Sequence, residues 1–134
     1  MNFKVLSLFL LRVVVGVVFI AHGWAKISNM EGTIGFFASL GLASVLAYVV
    51  AYVEFLGGLA VLLGVYSRWA SYALALVMVG AIYTVKFQSG FMGGYELDLV
   101  LFASALVIAF SGAGPYSLSG KVCGCGSCAM CGMK

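Results

Sequence analysis

Arg12, His22, Lys26, Glu54, Glu96 and Asp98 interrupt long apolar runs, and they are the residues whose chemistry needs explaining. A charged side chain at the centre of a bilayer costs ~2.5–3.5 kcal/mol even on the mildest scale, so it must face protein or water. Arg12 lies eight residues beyond Lys4, and Glu54 lies ten before Gly64. Counted from the helix ends, both sit roughly 12–15 Å deep on antiparallel helices. This spacing predicts an Arg12–Glu54 salt bridge. Two readings follow from it: the pair fixes helix register, or an ionisable cluster lines a substrate or proton site.

His22 and Lys26 stand one helical turn apart at the end of the first apolar run. Together they suit an anionic or quinone-like head group, or an acid and base pair. The plainer reading of His22 is a hydrogen-bonded bundle residue. Glu96 and Asp98 are two residues apart, about 200° around a helix, so they cannot both point into a bundle. No nucleophile–base pair, phosphate loop or nucleotide motif is present, so the catalytic residues are unknown from the sequence.

Cys123, Cys125, Cys128 and Cys131 form a C-x-C-x2-C-x2-C array within nine residues. Four thiolates suit tetrahedral Zn, Cu(I) or an Fe–S cluster, and C-x2-C spacing lets two sulfurs reach one ion across a tight turn. Outside the cytoplasm the same cysteines would form disulfides, and two bridges in so short a segment would be strained.

The elements that must carry these groups follow from composition. Of the 134 residues, 64% are hydrophobic and 8% charged. Soluble domains carry about 25% charged residues, so this composition belongs in a membrane. The net charge of +3 is dispersed, without a Lys/Arg cluster, which argues against nucleic acid. Apolar runs predict an all-α, four-transmembrane-helix bundle with spans at about 5–25, 43–63, 69–86 and 96–110. A cleaved signal peptide is the alternative for the first run, but Arg12 breaks what should be an uncharged core. Residues 27–42 are too short and mixed to span and suit an interfacial or re-entrant helix. Four spans put both termini on one side. Lys4, Arg68, Lys121 and Lys134 outnumber Lys26 and Lys86 across the membrane, which predicts that side to be cytoplasmic. Arg12, Gly16, Phe19, Gly23 and Lys26 share one helical face, and Glu54 shares one with Gly57 and Gly58. Such glycines let helix backbones approach closely.

The run Arg12-Val-Val-Val-Gly16-Val-Val-Phe19-Ile-Ala-His22-Gly23-Trp-Ala-Lys26 resembles the first-helix signature of the DoxX family. Glu54-Phe-Leu-Gly57-Gly58 resembles its second, and Tyr95-Glu96-Leu97 and Gly114-Pro115-Tyr-Ser117 its last two elements. The resemblance covers about residues 8–119, within a membrane domain of residues 1–119 followed by a cysteine-rich tail at 120–134. It implies a four-helix integral membrane protein with Arg12, His22, Gly23, Lys26, Glu54, Gly57, Gly58 and Glu96 as family positions. It also implies that Glu96, rather than Asp98, points inward, completing a polar cluster of Arg12, Glu54 and Glu96. The family is named for a subunit associated with thiosulfate:quinone oxidoreductase.

Three functions follow as expectations. The first is a small membrane component of a redox system that engages a quinone or other lipophilic partner and carries metal on its cysteine tail. If that component is an enzyme, it is an oxidoreductase subunit rather than a stand-alone catalyst. The second is a metal-handling or transport protein. The third is an assembly or accessory subunit that packs on itself or on other membrane-complex subunits. Membrane lipids surround the chain in each.

Overall fold

The computed structural model describes residues 3–86, 92 and 95–112. The elements are α1 (Phe3–Ser28), α2 (Met30–Ser39), α3 (Ser44–Leu63), α4 (Ser67–Ala81) and α5 (Glu96–Ser111). A π-helical turn, Ile82–Lys86, extends α4. The described residues form no strand. The helices coincide with the expected apolar runs, and α2 occupies the expected connector.

Four helices close a ring, with α1 against α3, α3 against α4, α4 against α5 and α5 against α1. Helix α2 lies over one end, against α3 and α1. Its start is held by Asn29, whose side chain accepts from the Gly32 N–H at 3.3 Å. The Thr33 hydroxyl donates back to the Asn29 and Lys26 carbonyls at 2.9 and 3.2 Å, docking α2 on the end of α1.

The α3–α4 connection is tight. Gly64 adopts φ +73°, and the N–H groups of Gly64 and Val65 return to the Val61 and Ala60 carbonyls. A left-handed residue of this kind ends a helix with little strain when it is glycine. The chain therefore reverses, and α4 runs back along α3 with Leu74 against Gly57.

The core comprises Val15, Phe19, Val61, Leu74, Met78, Leu101 and Ile108. The outside is apolar too: Leu76 is 74% exposed, and Val14, Val45, Leu56, Trp69, Val100 and Phe110 also face outward. A water-soluble monomer rarely presents such contiguous apolar surface. Two helical segments, Leu6–Ser28 and Ser44–Leu63, are long and apolar enough to cross a membrane.

Candidate functional site

The site is positioned by the contact between α1 and α3. A Cβ placed on Gly16 would meet Leu62 Cβ at 2.8 Å and Gly58 O at 3.0 Å. One on Gly58 would meet Ile20 N at 2.8 Å and Phe19 Cβ at 2.9 Å. At Gly23 the obstacle is the backbone of Phe55 itself. The two helices touch backbone to backbone, and only the missing side chains permit it. These contacts set an antiparallel register in which the end of α1 meets the middle of α3.

That register places Lys26 beside Glu54. Lys26 Nζ donates to Glu54 Oε1 at 2.5 Å in the one ion pair among the described residues. The Glu54 side chain is 1% exposed and that of Lys26 30%. Glu54 Oε2 is buried, with no hydrogen-bond partner among the described residues. His22, one turn before Lys26, donates from Nδ1 to the Val18 carbonyl at 2.8 Å. In the neutral ring this leaves Nε2 as an acceptor.

These groups border a cleft of about 790 Å³ at the α2 end of the bundle. His22, Lys26, Glu54 and Asp98 supply its ionisable lining. Phe19, Phe36, Phe37, Met78 and Leu101 supply much of its apolar wall. The volume lies in the range of about 300–1,000 Å³ typical of small-molecule sites, which likewise combine apolar walls with a few placed polar groups.

Two expectations are corrected. Arg12 does not pair with Glu54. It is 2% exposed, and its Nε and Nη2 donate to the Val61 and Leu62 carbonyls at 3.2 and 3.3 Å. These carbonyls belong to the last turn of α3, where intrahelical partners run out, so Arg12 caps that helix. Val61 lies seven residues from Glu54, about 10 Å of helix rise. Counting depth from helix ends missed this offset because glycine contacts, and not helix ends, set the register.

The second correction concerns α5. Asp98 is 6% exposed and lines the cleft, whereas Glu96 faces outward. Asp98 shares its buried stripe with Leu101, Ala105 and Ile108, a helical spacing that was visible in the sequence. The expected cluster of Arg12, Glu54 and Glu96 is thus not assembled. The group brought together is His22, Lys26, Glu54 and Asp98.

Among the packing glycines, Gly16, Gly23 and Gly58 face the α1–α3 contact, while Gly57 faces Leu74 of α4. The cysteine array Cys123, Cys125, Cys128 and Cys131 lies outside the described residues. Asn29 and Thr33, both on the cleft wall, had no chemical signal in the sequence.

Comparison with known proteins follows the same helices. The sequence profile of the DoxX family matches residues 7–87. The chain is 42% identical over 117 residues to a Bacillus subtilis (strain 168) protein named "Putative oxidoreductase CatD", covering 84% of this chain and 87% of the relative. It is 30% identical over 112 residues to "Inner membrane protein YqjF" of Escherichia coli (strain K12), covering 80% of this chain and 85% of the relative. No solved structure matches.

Proposed function

The chain belongs to the DoxX family, and from that premise we propose that it is a small integral membrane component of a redox system whose cleft engages a quinone or another lipophilic redox partner. The observation that carries this reading is the cleft itself. Its walls are largely apolar, and its few ionisable groups include Lys26 and Glu54, joined in an ion pair. An apolar ring system gains by entering such walls, while polar ring substituents need the few polar groups to orient them. The name given to the Bacillus relative, an oxidoreductase, accords with this partner class.

The bundle takes up four membrane crossings, α1, α3, α4 with its π-helical extension, and α5. The run from Ser67 to Lys86 reaches 20 residues in this way. Shorter α5, with 16 residues, would sit in a locally thinned bilayer. The antiparallel sequence of these helices, with α2 held at one end, supports placing both termini on one side. The excess of Lys and Arg there supports a cytoplasmic assignment. The four tail cysteines would hold Zn, Cu(I) or an Fe–S cluster as thiolates.

The cleft assignment is tested with Gly80→Trp. Gly80 lines the cleft, and a Cβ there meets nothing within 4 Å, so a side chain can leave the backbone there without striking a facing helix. Full-length protein in nanodiscs is titrated with a short-chain naphthoquinone in oxidised and reduced forms. Saturable binding that Gly80→Trp weakens at least tenfold supports the proposal. Absence of saturable binding, or equal binding by the variant, overturns it.

A further inference from the structure

Building on the cleft reading above, we infer that this site selects the reduced, hydroxyl-bearing form of its lipophilic partner over the oxidised dicarbonyl form. Paired with the Lys26 ammonium, Glu54 is a carboxylate and accepts only. One of its oxygens is occupied by Lys26, and the other, Oε2, is buried without a partner among the described residues. In the neutral ring His22 spends its one N–H on the Val18 carbonyl, and its remaining nitrogen also accepts.

A ligand that carries only carbonyl groups has no proton to offer these atoms. It can take a hydrogen bond from Lys26, but it leaves Glu54 Oε2 desolvated and unsatisfied. A hydroxyl supplies the missing proton, and O–H to carboxylate bonds are among the stronger ones available. The asymmetry is general: leaving a buried acceptor unmade costs more than an average hydrogen bond contributes. The expected preference for the reduced form is about tenfold or more, with Glu54 as its main source. For a two-electron couple, a tenfold preference raises the midpoint potential of the bound couple by about 30 mV.

The test uses duroquinone and durohydroquinone as probes, bound anaerobically to full-length protein in nanodiscs, with empty nanodiscs subtracted. The hydroquinone is expected to bind at least tenfold more tightly. In Glu54→Gln, Lys26 retains the amide oxygen and the amide nitrogen turns toward the cleft as a donor, so the preference is expected to vanish or invert. His22→Phe, at a solvent-exposed position on the cleft lining and outside the buried core, is expected to lower the preference severalfold and serves if Glu54→Gln does not fold. Equal affinity of the wild type for both probes, or tighter quinone binding, overturns this inference and leaves the cleft assignment standing. A preference unchanged in both variants also overturns it. Failure of both probes to bind the wild type removes the cleft assignment, and the inference with it.

Discussion

Gly23→Ala isolates the contact on which the site depends. The added Cβ would lie 2.7 Å from Phe55 Cα and 2.8 Å from Phe55 Cβ, and closer still to the Phe55 nitrogen. Carbon atoms rest about 3.5–4.0 Å apart, so α1 must retreat from α3 by about 1 Å. No side chain can rotate to relieve this, because two of the three atoms are backbone. Overpacking of this kind costs about 1–3 kcal/mol, against a gain of about 1 kcal/mol in helix propensity for replacing glycine by alanine. The net expectation is a loss of about 0–2 kcal/mol, with the Lys26–Glu54 distance lengthened as the helices part. Gly80→Ala is the internal control: its Cβ meets nothing within 4 Å, so only the gain of about 0.5–1 kcal/mol is left. Reversible unfolding by SDS titration in mixed micelles reads both variants. The opposite signs are the signature. Gly23→Ala protein stabilised to the same degree as Gly80→Ala would refute the backbone contact and the register built on it.

Four further outcomes are expected. Lys26→Ala strands the Glu54 carboxylate and should cost about 3 kcal/mol, whereas Lys26→Met with Glu54→Leu should recover most of that loss; additive effects in the same unfolding assay would deny the pairing. Arg12→Met removes a donor from the Val61 and Leu62 carbonyls, the first of which keeps the Gly64 N–H, and should cost about 1–3 kcal/mol, with durohydroquinone affinity unchanged at temperatures where the variant is folded. Glu96→Gln should stay within about 0.5 kcal/mol of the wild type, and Asp98→Ala should lose more than about 1 kcal/mol; the reverse order would restore Glu96 as the inward acid. Deleting residues 121–134 should abolish metal bound to anaerobically purified protein, measured by elemental analysis, without altering cleft binding.

Every described helix could be read from apolar runs, because length and composition dictate that much in a chain this hydrophobic. Even α2 was legible, since residues 27–42 are too short and mixed to span. Side-chain pairing was not legible, for a geometric reason. Two charges on antiparallel helices meet only if the register is known, and the helix ends carry little register information when termini fray and loops differ. The register is written instead in Gly16, Gly23 and Gly58, whose partners on the facing helix cannot be named from one sequence. On α5 the sequence did hold the answer. Asp98 falls on the stripe of Leu101, Ala105 and Ile108, and that stripe is a stronger guide than the family resemblance that pointed to Glu96.

The two charges deepest in the sequence reading therefore have different work to do. Arg12 serves the end of α3, where it donates to the Val61 and Leu62 carbonyls. Glu54 is not accounted for in this way. A buried ion pair gains little over well-packed apolar side chains, so stability alone is a poor reason to keep a carboxylate at 1% exposure. A pair that served only to lock register would do best with both carboxylate oxygens engaged. Here one oxygen is held by Lys26 and the other has no partner among the described residues, at the wall of an apolar cleft. That asymmetry favours a binding role over a register pin. It also ties chemistry to packing: the glycine contacts that bring α1 against α3 are the same ones that deliver Lys26 to Glu54. Gly23→Ala should accordingly weaken hydroquinone binding as well as the fold, and its effect on binding should be non-additive with that of Glu54→Gln.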